Sequence, residues 1–212
     1  LGIRGDGIRL LNSHDNQLFA NRLYKSRDFV LWYSSGNNIE KNYGSYNRYS
    51  LHFMYAGRNM VRNNFFEYNS VGIFFMYSSG TIAIGNTVKN SLGAFGVGIG
   101  MKDSSDFTLL ENNLIYNPRG LYLDQSPYHP RTVNVFERNN ILYNSSGVQF
   151  QVSRERSIFK ENVIKGNIEP VVSDTPRNNL DINDWSGNYW DMYEGFDKNG
   201  DGYGDIPYKH YV

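Results

Sequence analysis

Leu51-His52-Phe53-Met54-Tyr55 is followed 22 positions later by Ile73-Phe74-Phe75-Met76-Tyr77. Each copy leads through a turn into an apolar-x-x-Asn pattern. That pattern recurs every 21 to 27 residues, as Leu18-x-x-Asn21, Ile39-x-x-Asn42, Met60-x-x-Asn63, Ala83-x-x-Asn86, Leu109-x-x-Asn112, Phe136-x-x-Asn139 and Phe159-x-x-Asn162. A second asparagine closes most units, at Asn47, Asn69, Asn90, Asn117, Asn144 and Asn167. A period of this length means stacked units that bury a core only together. The stretches between turns alternate apolar and polar, are rich in Ile, Phe, Val and Tyr, and are broken by Gly, Asn and Ser, so they read as short strands. Helical periodicity of useful length is missing. The sequence therefore predicts an all-β fold, a single-stranded right-handed parallel β-helix with one coil per repeat. Residues 1–168 form the repeats, and residues 169–212 form a C-terminal cap. Equivalent asparagines would then stack into hydrogen-bonded ladders along the coil.

Two columns run through the strand before each Ser-rich turn. Ile8, Phe29, Leu51, Ile73, Ile99, Leu121 and Val148 form one, and Leu10, Leu31, Phe53, Phe75, Met101, Leu123 and Phe150 the other. Both are apolar throughout and belong inside the coil. Strand side chains alternate, so the residues between and after them point outward. In the later coils these are polar: Lys102, Asp124, Gln149 and Gln151. In the earlier ones they are Val30, Trp32, His52, Met54, Phe74 and Met76. An outward apolar set of this kind marks a contact surface, with Trp32 and Phe74 as its aromatic partner contacts. His52, Met54 and Met76 also have the chemistry of a soft metal site, since thioethers select Cu(I) and imidazole suits copper. Successive coils would bring Met54 and Met76 to about 4.8 Å, with His52 about 6.5 to 7 Å along the strand from Met54. Packing beneath a partner and ligation of Cu(I) both fit this pattern. Met60 reads as core, in a column with Ile39 and Leu109. Met101 sits inward, but in a glycine-rich rung that would let it reach out. His129 falls in a protruding loop, Ser126-Pro127-Tyr128-His129-Pro130.

The chain has 212 residues, no Cys, and 21 Lys+Arg against 21 Asp+Glu. Zero formal charge argues against nucleic acid, whose usual footprint is a basic surface. Lack of Cys suits an oxidising compartment. No run of 18 apolar residues offers a transmembrane segment, and no signal peptide is visible. The chain opens on Leu1 in what already looks like repeat sequence, as a mature or trimmed fragment would. An enzyme reading uses Lys102, Asp103 and Asp124, a carboxylate beside a cation being able to abstract a proton.

The final segment changes character. Trp185, Tyr189 and Trp190 are the natural plug for a last coil. Asp197-Lys198-Asn199-Gly200-Asp201-Gly202-Tyr203-Gly204-Asp205 places oxygen ligands at alternate positions with glycine at the sixth, as the first part of a calcium loop does. Asp197, Asn199, Asp201, the Tyr203 carbonyl and Asp205 would be the calcium ligands. Position twelve is Tyr208 rather than Glu, so this is not an EF-hand; a calcium turn and an ion-free Asp/Gly turn both fit.

The ending Asn183-x-Trp185-x-x-Asn188-Tyr189-Trp190 through Asp197-x-Asn199-x-Asp201-Gly202-x-Gly204-Asp205-x-Pro207-Tyr208, with the Met-bearing strands above, resembles the NosD family. The resemblance covers essentially the whole chain. It implies a non-enzymatic, periplasmic or extracellular protein that delivers copper for maturation of nitrous oxide reductase. It also implies work beside an ABC transporter permease, receipt of Cu(I) from a copper chaperone lipoprotein, and supply of nitrous oxide reductase as partner. Copper handling carries over to His52, Met54 and Met76. A carbohydrate-active β-helix enzyme, a lyase or epimerase, is the alternative.

Overall fold

A computed structural model describes residues 4–174 and 180–210. Among these residues the strands assemble into three parallel sheets of eight, seven and eight strands, each strand pairing with its counterpart one coil away. The chain is thus a parallel β-solenoid of about eight turns with almost no helix, a single 3-10 turn at Leu180–Ile182 being the exception among the described residues. No helix among them is long and apolar enough to cross a membrane.

The first sheet has the longest strands, including Asp28–Trp32, Tyr49–Met54, Val71–Met76, Val97–Lys102, Arg119–Asp124 and Ser146–Val152. Its register is the one the sequence predicts: Leu51 pairs with Ile73, Phe53 with Phe75, and Met54 with Met76. Leu51, Phe53, Ile73, Phe75 and Ile99 are fully buried. Phe53 stacks on Phe75 at 4.8 Å, so apolar burial continues along the axis as well as across the coil.

Corners repeat as faithfully as strands. The residue after each outward column (Tyr33, Tyr55, Tyr77, Asp103, Gln125) has a left-handed backbone, φ between 45° and 52°. Another left-handed position, at Lys41, Asn63, Gly85, Glu111, Arg138 and Glu161, is followed directly by a ladder asparagine. Non-glycine residues held there cost about 1–2 kcal/mol each, so each corner needs compensation. The ladder supplies it. Asn42 donates its backbone N–H and its Nδ2 to Asn64 Oδ1, both at 2.9 Å, and Nδ2 also donates to the Leu18 carbonyl at 2.9 Å. The same arrangement runs from Asn21 through Asn42, Asn64, Asn86, Asn112, Asn139 and Asn162 to Asn188.

Two ladder positions differ from the sequence reading. In the second sheet Val61, not Met60, pairs with Ile39 and Ala83 and is fully buried; Met60 pairs with Asn38 and Ile82 and is half-buried. Accordingly Asn64 is the ladder residue, and Asn63 is the left-handed corner beside it. At the next corner Ser91 rather than Asn90 donates its N–H to Asn117. Met101 stays inside, fully buried, with Asn134 Nδ2 3.9 Å from its sulfur.

A glycine column marks the junction of the third and first sheets. A Cβ on Gly98, Gly120 or Gly147 would lie 2.6 to 2.7 Å from a carbonyl oxygen of the next coil. Only glycine permits that approach. The repeat geometry also runs on past residue 168. Glu169–Ser173 joins the first sheet, Tyr189–Trp190 joins the third, and Asn183 and Asn188 accept ladder bonds. Trp185 stacks on Phe159 at 4.1 Å, against the core of the last coil.

Candidate functional site

Period-2 alternation fixes which side chains leave the first sheet. Val30, His52 and Phe74 form one outward column, Trp32, Met54 and Met76 the next. The second column continues into Lys102 and Asp124, so the face changes from thioether to charge between the coils of Met76 and Lys102.

His52 and Met76 meet diagonally across two strands, with His52 Nε2 3.4 Å from Met76 Sδ. Taking zinc bond lengths of about 2.0 Å to nitrogen and about 2.3 Å to sulfur as a yardstick, a nitrogen and a sulfur on one tetrahedral ion lie about 3.5 Å apart. The pair is therefore already spaced to share a single ion. Met54 lies beside Met76 in strand register, half-buried as Met76 is, and Trp32 lies beside Met54.

The imidazole is sheltered although it points away from the core. His52 is 6% exposed. The Tyr49 ring stacks on it at 4.5 Å, and Phe74 meets Tyr49 edge-on at 6.1 Å. Phe74 is only 7% exposed, because its ring lies over Gly100, where a Cβ would sit 2.3 Å from it. The sequence reading of Phe74 as an exposed contact thus meets a covered ring that walls the site, while Trp32 remains half-exposed. Arg9 lies over the Trp32 ring at 5.6 Å.

Burial pushes the His52 pKa below its ordinary value; the Asp28 carboxylate opposes this and Arg48 adds to it. Desolvation wins because Asp28, itself buried, is ion-paired to Arg48, whose guanidinium sits over Tyr49 at 5.1 Å. A neutral imidazole is the form that ligates metals. His52 Nδ1 is buried with no hydrogen-bond partner among the described residues. In one tautomer Nε2–H donates to the thioether; with the proton on Nδ1 the Nε2 lone pair faces the sulfur instead.

Among the described residues no three of His, Asp and Glu gather closely enough to hold an ion. The calcium expectation at Asp197, Asn199, Asp201, the Tyr203 carbonyl and Asp205 rests on the sequence spacing alone. Carboxylates among these residues bind backbone amides of the same turn. Asp197 accepts from the N–H groups of Gly200, Asp201 and Gly202 at 2.6, 3.2 and 2.8 Å, and Asp205 accepts from Lys198 N–H at 2.6 Å.

The carboxylates of the enzyme reading are differently placed. Lys102 Nζ donates to Asp124 at 2.7 Å, which raises the Lys102 pKa. Asp103 stands at the corner, its pKa raised by burial against the opposing pull of Lys102. His129 lies on an exposed loop whose backbone is tied to Ser105 Oγ. Arg119 lies over Phe95 and Tyr122, at 5.2 and 5.1 Å.

The family described as "Periplasmic copper-binding protein (NosD)" matches residues 1–195. A protein of Stutzerimonas stutzeri named "Probable ABC transporter binding protein NosD" is 34% identical over 76 residues. That stretch covers 36% of this chain and 17% of the relative's length.

Proposed function

Because the chain belongs to the NosD family of periplasmic copper-binding proteins, we propose that it is a non-enzymatic accessory protein that carries Cu(I) on the outward face of its first sheet. His52, Met54 and Met76 are the ligands. The observation that carries this reading is the 3.4 Å approach of His52 Nε2 to Met76 Sδ beneath an aromatic cover. Thioethers favour Cu(I), and burial lowers the His52 pKa, which favours the neutral imidazole. A site with so few strong donors suits cargo rather than a resident cofactor. A partner offering its own Met or His side chains takes the ion by ligand exchange.

The relative's name associates it with an ABC transporter. For this chain an ABC transporter permease, a copper chaperone lipoprotein as donor and nitrous oxide reductase as acceptor are accordingly the proposed partners. Trp32, half-exposed at the open end of the face, is the proposed contact. A lyase or epimerase mechanism lacks comparable support, since Asp124 is tied to Lys102.

Competition titration with a chromogenic Cu(I) chelator tests the assignment. The variant with His52, Met54 and Met76 all changed to Ala is expected to bind at least about 100-fold more weakly, because even outer-shell partners of metal ligands cost 10–100-fold. Equal affinity in wild type and variant would remove these residues from the site.

A further inference from the structure

Next to the methionine column runs an aromatic ladder. Tyr33 stacks on Tyr55 at 5.1 Å and 10°, and Tyr55 on Tyr77 at 4.9 Å and 12°. Their rings follow the coil spacing, so each offers one face up the axis and one down. The ladder stops at Tyr77, because the next two residues of this corner column are Asp103 and Gln125. The loop 126–132 borders that point through Tyr128 and His129. Ser105 Oγ accepts from the N–H groups of Tyr128 and His129, at 2.8 and 2.9 Å, and holds both residues over the corner. The result is a cleft of about 460 Å³ lined by Tyr55, Tyr77, Asp103, Gln125, Tyr128 and His129.

Each wall carries a requirement. The free face of Tyr77 takes a flat group at the ladder spacing. The Asp103 carboxylate and the Gln125 amide, half-buried at the same corner, make no side-chain hydrogen bond or ion pair among the described residues. Lys102 and Arg154 both pull on the Asp103 carboxylate, and Lys102 is itself held by Asp124. A flat group with several N–H donors and positive charge meets these conditions together. Guanidinium does so: it is planar, stacks on aromatic faces and pairs bidentately with carboxylate. We propose that this cleft binds the guanidinium of an arginine side chain presented by a partner protein, stacked on Tyr77 and paired with Asp103. Partially desolvated carboxylates pair more strongly with cations than exposed ones, and burial already disfavours the lone charge of Asp103. Tyr55 and Tyr77 directly follow Met54 and Met76 in sequence, so a partner anchored here has its surface beside the thioethers. The site uses none of the proposed copper ligands, and its test is independent of copper.

Two-dimensional NMR of the full chain, labelled and metal-free, provides the test. The probes are an N-acetyl, C-amide Gly-Arg-Gly peptide, the same peptide with citrulline or lysine for arginine, free agmatine, and methyl glucoside. The arginine peptide is expected to shift the resonances of Tyr77, Asp103, Gln125 and the 126–132 loop saturably. Citrulline and lysine peptides should bind about tenfold more weakly, as should the arginine peptide to Asp103→Asn, because a charge-assisted bidentate pair is lost. Asparagine tolerates a left-handed backbone, so that variant keeps its fold; Tyr77→Ala is the second variant and should lose the stacking contact. Equal binding of arginine and citrulline peptides, tighter binding of the glucoside, binding of agmatine with exclusion of the peptide, or no saturable shift at these residues would each overturn the proposal.

Discussion

Replacing Asn86 by Ala removes one step from the middle of the longest ladder. Asn86 is fully buried. Its Oδ1 accepts from the N–H and the Nδ2 of Asn64, at 3.0 and 2.9 Å, and its Nδ2 donates to the Val61 carbonyl and to Asn112 Oδ1, both at 2.9 Å. Asn64 Nδ2 keeps a second acceptor, the Ile39 carbonyl at 2.9 Å, and Asn112 Oδ1 keeps the Asn86 N–H at 3.0 Å. The Asn64 backbone N–H is left with nothing. Four lost bonds at a net 0.5–1.5 kcal/mol each give about 2–6 kcal/mol, and the orphaned buried N–H adds about 1–3 kcal/mol of desolvation. Partial relaxation and double counting of the shared groups bring the expected loss to about 3–5 kcal/mol, in the range reserved for broken buried networks. Urea denaturation followed by far-UV circular dichroism measures it, with the slope compared to confirm that the transition keeps its cooperativity. Asn140→Ala serves as control: its side chain makes one partly exposed bond, to Asn113 Oδ1 at 2.8 Å, and should cost about 1 kcal/mol or less. A loss for Asn86→Ala no larger than for Asn140→Ala would refute the ladder as a source of stability.

Three further outcomes follow from the same geometry. Gly120→Ala places a Cβ 2.7 Å from the Gly147 carbonyl oxygen; backbone cannot swing aside, and thermal unfolding should report a loss of about 1–3 kcal/mol. Because the folded His52 pKa is lowered, the unfolded chain takes up the proton first, so stability falls as pH drops through the ordinary imidazole value of about 6.5 toward the lower folded one. Urea midpoints should then show His52→Gln losing less than wild type on acidification; parallel curves would contradict the shift. Trp185→Ala strips the stacked ring from Phe159 and should destabilise by about 2–4 kcal/mol, with hydrogen exchange rising first in Ser157–Lys160 and Val163–Lys165; uniform acceleration along the whole solenoid would argue against local covering.

The sequence made the first sheet legible because its alternation is strict over five or six residues and both inner columns are apolar without exception. The short strands of the second sheet gave less purchase. At Asn63-Asn64 two adjacent asparagines compete for one ladder position, and a corner asparagine is as natural as a ladder asparagine because Asn accepts left-handed backbone. The same ambiguity picked Asn90 over Ser91, whose hydroxyl-bearing side chain hides the ladder. The outward placement of His52, Met54 and Met76 was readable from period 2. The closeness of His52 to Met76 was not, since it depends on side-chain rotamers across a diagonal, and neither was the burial of His52, which the Tyr49 and Phe74 rings create. The Asp197–Asp205 spacing suggested calcium because alternate oxygens suit both an ion and a chain of backbone amides, and sequence alone does not separate the two.

The ladder steps are unequal: 21, 22, 22, 26, 27, 23 and 26 residues separate successive asparagines from Asn21 to Asn188. Yet the asparagine ladder stays continuous, and in the first sheet the register slips only between Asp28 and Val30 and between Leu123 and Asp124 among the described residues. In the 26- and 27-residue coils between Asn86 and Asn139 the surplus residues leave the coil at corners, as 92–96 and 126–132, and the chain re-enters in phase. Growth and interior are thereby decoupled. Insertions at these corners remodel the outer surface while every strand keeps its neighbours, so a lineage built on this scaffold can vary what it recognises without rewriting what holds it up.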